Sequence, residues 1–483
     1  MSGQWSPLRL TTEGRPSAAI AVALLALYAA GTLYVGLHHE PWRDEADSWL
    51  VVRDAPLSTI FTWTRNAGTP ALWYLTLKPL IWLGLPYQSQ QLLHLAFAWA
   101  AAAILLLRAP FTWITKLLVL GSYYLAYEYA VIARSYVLTI LLSFLIAAWY
   151  PERHSRSVRY AVAVALLFNT NVHGGVIGAI LVLLFLLDRG RRASPAGVAI
   201  MLAGAVAAWA QLRTAPDASF PHIVRRINPL AAWHAVASAF SPGIALGVAG
   251  AAAVLIILLI AVSLRRRADA LLFLLLSIVL LNLLYVFVWF GGYRHAGLIL
   301  VAALLAIWIA GNVPRDAVSS AAALLLNVAL SFSVLFAFHM ARADVKMDFS
   351  GSREMGEFIG ENGLDRYPIA AHNMHPTEAV LPWVPGKQFW YAGVGRYGTY
   401  MHWNREEEIG IHTPYPVAVG RAIEHFVPRG EPWLLLLNRP IPGSGRGFRL
   451  LYATQGPVYR HRDERYWLYE WVGAGEAVSS PTR

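Results

Sequence analysis

Residues 18–49 read AAIAVALLALYAAGTLYVGLHHEPWRDEADSW, an apolar run that ends abruptly in a polar segment. A membrane-spanning helix needs about 20 mostly apolar residues, and the apolar part of this stretch reaches that length. The polar part places four acids and two histidines within the ten positions 38–47. The run is long for a signal peptide and lacks a clear cleavage site of small residues. The stretch therefore predicts a spanning helix followed directly by a charged loop at the membrane surface.

The composition of the whole chain is typical of a protein that crosses the membrane many times. Of its 483 residues, 57% are hydrophobic and 14% are charged. Soluble proteins have about 25% charged residues. On a membrane chain, basic residues first set orientation, so the net charge of +11 does not indicate a nucleic-acid partner. The chain has no cysteine, which excludes disulfides, thiolate catalysis and cysteine metal sites.

Apolar runs along the chain predict an α-helical polytopic membrane protein with about eleven transmembrane helices. The runs cover roughly residues 17–37, 90–107, 113–130, 131–149, 158–171, 174–187, 195–213, 243–263, 269–289, 296–311 and 317–338. The segment 66–84 is interrupted by proline and lysine. It therefore predicts an interfacial helix that lies in the plane of the membrane within the first outer loop.

Arginines predict the orientation, because short basic connections stay in the cytoplasm. One alternating set of connections carries nearly all of them: Arg108, Arg153, Arg156, Arg159, Arg189, Arg191, Arg192, Arg265, Arg266, Arg267 and Arg315. The N-terminus is then cytoplasmic, and the remaining connections face outward. The outer set comprises the acidic loop, the corners 127–136, 169–175 and 290–297, and the long loop 214–242. In that loop, Arg225 and Arg226 either attract an anionic lipid head group or neutralise acids of the tail.

After residue 338 the hydrophobic runs shorten, and turn residues and charges return. We therefore divide the chain into a transmembrane domain, 1–338, and a small periplasmic α/β domain, 339–483. In the second domain, 352–363 predicts a helix, and 367–371, 432–438 and a final pair, FRLLYA and RYWLYEWV, predict strands.

The acids of the first outer loop are the first candidates for chemistry. A carboxylate held at the membrane surface can take a proton from an acceptor hydroxyl or help to bind a divalent cation. The alternative is that Asp44 and Glu45 are solvated acids that open an interfacial helix, where the helix dipole favours them. We place Asp44 and Glu45 in the site and interpret Asp47, Glu40 and the two histidines as bystanders.

Basic and aromatic residues of the other outer corners supply partners for these acids. Arg134 can donate two parallel hydrogen bonds to a phosphate group; alternatively, it extends to the membrane surface or pairs with Glu128. His173 can bind a phosphate, a sugar hydroxyl or a metal, although a lone loop histidine is more often structural. Arg294 and His295 are open to the same two interpretations, a role in binding and a purely structural role. Glu128 is either part of the site or only a charge at its corner.

The acidic loop, the segment TPALWYLTLKPLIWLGLPYQSQQLLHLAFA (69–98) and the corner YEYAVIARSYVLTILLSFLIAA (127–148) together resemble a known superfamily. It is the GT-C superfamily of polyprenyl-phosphate-sugar-dependent glycosyltransferases. Within it, the chain most resembles the branch of protein O-mannosyltransferases, lipid A aminoarabinose transferases and rhizobial lipopolysaccharide galacturonosyltransferases. The resemblance covers residues 15 to about 310 in organisation and is most specific in the first 140 residues.

The resemblance implies roles for individual residues. An acid of the first outer loop is the proposed base in that family, which corresponds to Asp44 with Glu45. An arginine at the second outer corner binds the donor phosphate, which corresponds to Arg134 with Tyr136. His173 is similar to a histidine common at the third outer corner, and YRHAGLIL, which contains Arg294 and His295, is similar to the family's entry into a late span.

Two departures from the family pattern bear on the identity of the acceptor and on any role for a metal. The family often has His-Pro-Pro-Leu-Tyr in the first loop, whereas residues 69–73 read TPALW and lack the histidine. The family also often has a glutamate two residues before the arginine, where this chain has Ile132. Glu128 lies one turn earlier than Ile132 and can point the same way.

By this resemblance, the protein is an inverting glycosyltransferase of a bacterial inner membrane. It would move a sugar from a polyprenyl-phosphate donor to a glycan, lipid or protein acceptor on the periplasmic face. Asp44 would act as base and Glu45 would orient the acceptor, while Arg134, His173 and Arg294 would stabilise the leaving phosphate. Five further residues are assigned to substrate binding: Glu128, Tyr136, Arg225, Arg226 and His295. The alternatives are a lipid or solute transporter and a non-catalytic assembly subunit.

Overall fold

The computed structural model describes residues 6–12, 17–188, 194–219, 227–441, 447–460 and 462–473. In this part, the helices up to residue 346 are α1 (Ala18–His38), α2 (Arg43–Asp54), α3 (Leu57–Ala67), α4 (Leu72–Trp82), α5 (Ser89–Arg108), α6 (Trp113–Gly121), α7 (Tyr136–Trp149), α8 (Ser157–Phe168), α9 (Val172–Leu187), α10 (Pro195–Leu212), α11 (Pro229–Phe240), α12 (Leu246–Ser263), α13 (Ala268–Phe287), α14 (Tyr293–Ala310) and α15 (Ala317–Lys346). Seven of them, α1, α5, α10 and α12 to α15, are long and apolar enough to cross a membrane. The predicted polytopic helical fold is confirmed.

Each of the eleven apolar runs contains a helix, but two segments differ from their predicted form. The run 113–130 is not one helix: α6 ends at Gly121, Ser122 has extended backbone angles, and a short π-helix follows at Tyr124–Glu128. The long loop 214–242 contains α11, which packs against α12 and α14. Its sequence is apolar around Trp233, and the helix lies between Asn228, followed by Pro229, and Ser241.

The acidic segment of the first loop forms α2. The helix begins after Trp42, whose backbone N–H donates to the Glu45 carboxylate at 3.3 Å, and the acids of its first turn lie where the helix dipole favours them. At the other end, the Lys78 ammonium donates to the carbonyl oxygens of Val52 at 2.7 Å and Ala55 at 3.3 Å. Lys78, in α4, thus caps the C-terminus of α2 and fixes its direction.

The C-terminal part folds around one mixed sheet. Its strands are β1 (Ile369–Ala371), β2 (Phe389–Tyr391), β3 (Arg396–Gly398), β4 (Leu434–Leu437), β5 (Phe448–Ala453) and β6 (Trp467–Trp471), in the order β3-β2-β1-β4-β6-β5. β1 pairs in parallel with β2 and β4, and the other pairs are antiparallel. The helices are α16 (Ser352–Glu361), α17 (Met374–Thr377), α18 (Arg405–Ile411) and α19 (Tyr415–Phe426). The predicted small α/β domain is therefore present.

The junction between the two parts is continuous. α15 runs to Lys346, so the boundary predicted after residue 338 falls within this helix. The division into domains 1–338 and 339–483 stays a prediction.

α2 is buried on both sides and joins the two parts of the protein. Ala46, Trp49 and Leu50 pack into the core of the sheet domain. Val51 and Val52 pack instead with α3 and α4. Burying an aliphatic side chain contributes roughly 1.5–3 kcal/mol. Two apolar faces therefore fix the helix that carries the acidic cluster, which leaves its polar side chains little freedom to move.

Gly297 in α14 allows this helix to approach the 127–136 corner closely. A Cβ atom at this position would overlap the Tyr124 ring and the Tyr129 hydroxyl. We expect Gly297→Ala to lower the free energy of unfolding by about 1–3 kcal/mol, the usual cost of overpacking. Gly31→Ala in α1 is the control, because no atom lies within 4 Å of its added Cβ. Unfolding of both variants in detergent measures the difference, and equal stabilities would contradict close packing at Gly297.

Candidate active site

A cavity of about 410 Å³ lies between the helical bundle and the sheet domain. α2, the 127–136 corner, the starts of α9 and α14, and two side chains of the sheet domain contribute to its wall. Six of the residues predicted from the sequence line it: Asp44, Arg134, Tyr136, His173, Arg294 and His295. Residues from corners far apart in sequence are therefore neighbours in the folded chain.

The centre of the cavity wall is an acid between two arginines. The Asp44 carboxylate oxygen Oδ2 pairs with Nη1 of Arg134 and, at 3.2 Å, with Nη1 of Arg294. The Arg294 guanidinium also lies 5.6 Å from the centre of the Trp42 ring, where a cation–π contact holds it. Burial raises the pKa of the Asp44 carboxyl, but Arg134 and Arg294 more than offset this and hold the pKa below its usual range. Asp44 is thus an ionised partner of two guanidinium groups.

Glu45 points away from the cavity and is buried. Its Oε1 accepts the Ala133 backbone N–H at 2.6 Å, and its Oε2 lies 3.0 Å from Nε2 of His39. Because Ala133 precedes Arg134, these bonds hold the corner that presents the arginine to Asp44. The predicted role of Glu45 in orienting an acceptor stays a prediction, whereas its contacts indicate that it positions Arg134.

The remaining predicted substrate residues lie elsewhere. Glu128 accepts a hydrogen bond from the Tyr123 hydroxyl and lies 3.4 Å from Nη1 of Arg460 in the sheet domain. It is absent from the cavity wall, so its contacts link the corner to the sheet domain. Arg225 and Arg226 lie outside the described residues.

Aromatic and imidazole rings form one side of the cavity. The ring centres of His173 and His295 are 5.0 Å apart, and Tyr136 lies 5.8 Å from His295. Nδ1 of His295 accepts the Gly292 backbone N–H at 2.8 Å, which fixes the ring. His295 also lines a second cavity of about 720 Å³, whose wall is formed mainly by α11, α14 and the connections that lead into α12 and α14. This ring therefore lies where the two cavities adjoin.

Asp47, His375 and Trp403 are among the residues of the cavity wall that were not assigned to the site from the sequence. Asp47 lies three residues after Asp44, so both side chains share one face of α2; this spacing was a usable signal. His375 and Trp403 come from the sheet domain, and their rings are in contact at 4.9 Å. Nothing near either residue in the sequence indicates a site, because only the docking of the two parts brings them to it.

His39 lies beneath the site between two buried carboxylates. Its Nε2 is 3.0 Å from Glu45, and its Nδ1 is 2.9 Å from Oδ2 of Asp344. Burial by itself lowers the pKa of the His39 imidazole. The charges of Asp344 and Glu45 outweigh this effect and raise the pKa to about 10. Near pH 7 the histidine is thus a cation that joins α1, α2 and α15.

This raised pKa predicts a pH-dependent stability. Because the pKa is higher in the folded chain than the usual value of about 6.5, the contribution of His39 is complete below about pH 6.5 and is lost as pH rises towards 10. We expect His39→Gln to lower the unfolding temperature most near pH 6 and progressively less towards pH 10. The control is His412→Gln at an exposed histidine. If the unfolding temperatures of His39→Gln and wild type differ by the same amount at every pH, this would contradict the ion-pair network.

The carboxylates of the cavity do not form a recognisable metal site. Within the described residues, no group of three or more histidines and acids could hold a metal ion. The divalent cation that the sequence left open therefore has no ligand set among them.

Comparison with known proteins finds solved structures with a similar fold. No protein-family model matches the chain, and no curated protein matches it. The crystal structure of ArnT from Cupriavidus metallidurans bound to undecaprenyl phosphate matches with a TM-score of 0.51 and 13% identity, over 94% of this chain and 98% of that chain. Its apo state matches over the same shares of both chains, with a TM-score of 0.50. The protein thus has an ArnT-like fold, in agreement with the fold that the resemblance implied.

Proposed function

We propose that the protein is a membrane glycosyltransferase that takes a sugar from a polyprenyl-phosphate donor and transfers it, with inversion, to an acceptor hydroxyl. The observation that carries the proposal is the convergence of Arg134 and Arg294 on one carboxylate in a cavity between the bundle and the sheet domain. The ArnT-like fold supports it, because a solved ArnT holds undecaprenyl phosphate.

The two arginines form the donor phosphate site in this proposal. Guanidinium groups bind phosphate through charge-assisted hydrogen bonds, and both groups lie at the cavity surface with about a quarter of each side chain exposed. In the structure described, Asp44 is their anionic partner. A phosphate group entering the cavity meets two guanidinium groups already directed at an anion, so little reorganisation is needed.

These positions also suit the chemistry of the transfer. The acceptor oxygen forms a bond to the anomeric carbon, the bond from that carbon to the phosphate oxygen breaks, and negative charge grows on the leaving phosphate. Arg134 and Arg294 stabilise that charge, which lowers the barrier directly. His173 and His295, beside Arg294, are placed to contact the sugar or phosphate. The apolar second cavity that adjoins at His295 is suited to an isoprenoid chain.

The test is turnover by the purified wild-type protein in nanodiscs. A panel of labelled undecaprenyl-phosphate sugars is offered with envelope lipids, glycans and proteins as acceptors, and both sugar transfer and the release of free undecaprenyl phosphate are measured. We expect one donor to give both sugar transfer and the release of undecaprenyl phosphate. Binding of the lipid phosphate without transfer would favour the transporter or assembly-subunit alternative, and the absence of both would contradict the proposal. The glycan that changes when the protein is removed from its cell identifies the acceptor.

A further inference from the structure

Asp47 is a buried acid in the wall of the cavity that the mechanism above does not use. It lies one helical turn after Asp44 on α2 and is 7% exposed. Its Oδ2 accepts a hydrogen bond from the Trp403 indole N–H at 3.4 Å. Its Oδ1 has no hydrogen-bond partner within the described part of the chain. A buried carboxylate oxygen without a donor is costly, and such atoms in a cavity often serve a ligand.

Asp44 is poorly suited to accept a proton. Its carboxylate already pairs with Arg134 and Arg294, and these two cations lower its proton affinity. General bases work best when their pKa lies near the working pH. The nearest cavity carboxylate without an arginine partner is Asp47.

We propose that Asp47 is the general base that receives the proton of the acceptor hydroxyl; this inference rests on the proposed glycosyltransferase function. As the acceptor oxygen bonds to the anomeric carbon, its proton passes to Oδ1 of Asp47, and the electron pair of the broken carbon–oxygen bond leaves with the lipid phosphate. The neighbouring roles then separate. Arg134 and Arg294 bind the leaving group, Asp44 positions them, and the indole of Trp403 orients the base.

The surroundings of Asp47 match this role. Burial, and then the charge of Asp44, raise the pKa of the Asp47 carboxyl well above its usual value, against the lowering effects of the Trp403 hydrogen bond and Arg134. The other titratable groups around it are Tyr74 from α4 and, from the sheet domain, His375, Glu378 and Glu407. Glu378 is fully buried, and burial, followed by the charge of Asp47, raises its pKa well above the usual value.

The test compares Asp47→Asn with wild type and with Asp54→Asn. Asp54 is the matched control, because it lies on the same helix but pairs with Arg53 outside the cavity. We expect Asp47→Asn to lower kcat by about 10²- to 10⁴-fold with little change in the KM for the donor. Asp54→Asn should behave as wild type. Asp47→Glu, which keeps the carboxylate, should recover part of the activity, and this would show that the loss is not a folding defect.

The dependence of kcat on pH distinguishes the roles of Asp44 and Asp47. In wild type, kcat should rise with pH as Asp47 ionises, with a midpoint above the usual pKa range of a carboxyl group. Asp44→Asn should keep this rise but shift it to lower pH, because a negative neighbour of Asp47 is removed. Loss of the rise in Asp44→Asn, or its persistence in Asp47→Asn, would overturn the proposal. An inactive wild-type protein would instead contradict the proposed function.

A measurement without turnover tests the same group. Infrared spectra of the unliganded wild-type protein should show a carboxylic acid band that disappears as pH rises, and this band should be weaker in Asp47→Asn, because other buried acids such as Glu378 contribute bands of their own. If the two proteins show equal bands over the same pH range, another acid carries the proton and the assignment is wrong.

Discussion

Arg134→Ala should weaken the binding of undecaprenyl phosphate by roughly 10- to 100-fold, because a hydrogen bond to a charged group contributes about 1.5–3 kcal/mol. Turnover should fall further, by about 10²- to 10³-fold, since the lost donor acts most strongly on the charge that grows on the leaving phosphate. Arg294 remains beside Asp44 in this variant, so residual binding is expected. Arg134→Lys should give an intermediate affinity, because lysine keeps the charge but not the two parallel donors.

Equilibrium binding of a fluorescent undecaprenyl phosphate measures this effect in nanodiscs. The matched control is Arg53→Ala, because Arg53 pairs with the adjacent Asp54 and does not line the cavity. Unfolding temperatures of all variants should be recorded with the affinities. A wild-type affinity in Arg134→Ala would remove Arg134 from the donor site, and a large loss of stability with unchanged affinity would assign it a purely structural role.

Glu45→Ala should have the largest effect on stability. The Glu45 side chain is fully buried, and its removal leaves the His39 cation with one carboxylate fewer and the Ala133 N–H without its acceptor. Breaking a buried ion pair on one side typically costs about 3–5 kcal/mol. The corner that carries Arg134 should loosen as well, so donor affinity should fall together with the free energy of unfolding.

Denaturation of purified protein in detergent measures this change. Glu357→Ala is the control: the same substitution at an exposed acid that pairs with Arg353 should cost about 1 kcal/mol or less. Glu45→Gln keeps an acceptor for the Ala133 N–H and should recover part of the stability. A stable Glu45→Ala protein that binds donor normally but does not turn over would support the catalytic role predicted from the sequence over the positioning role described above.

Much of the helical part was predictable because its signal is local. Each apolar run contains a helix in the structure, and within the described residues seven of these helices are long and apolar enough to cross a membrane. The failure at 113–130 has a clear cause, since composition alone does not show that Ser122 leaves helical geometry and that a corner follows. In the sheet domain, the predicted strands near 369, 434, 448 and 467 are present. β2 and β3 were missed because they are three residues each and lie among turns.

The candidate site was predictable in part for a similar reason. Asp44, Arg134 and Arg294 stood out as charges at the ends of apolar runs, where charge is costly and must be paired or used. Glu45 was placed in the site and Asp47 was interpreted as a bystander, because position in the sequence does not say which face of a helix is buried. On α2, Glu45 turns inward towards His39 and Ala133, whereas Asp47 faces the cavity beside Trp403.

The sequence by itself determined that this chain is a polytopic helical protein with an acidic first loop, because hydrophobic length and charge placement are properties of short segments. The tertiary structure alone decided which acid meets which cation. The pairing of Asp44 with Arg134 joins residues 90 positions apart, and that with Arg294 joins residues 250 positions apart. Such pairs depend on how helices and the sheet domain pack around α2. The arginines brought there keep Asp44 ionised, and burial raises the proton affinity of Asp47.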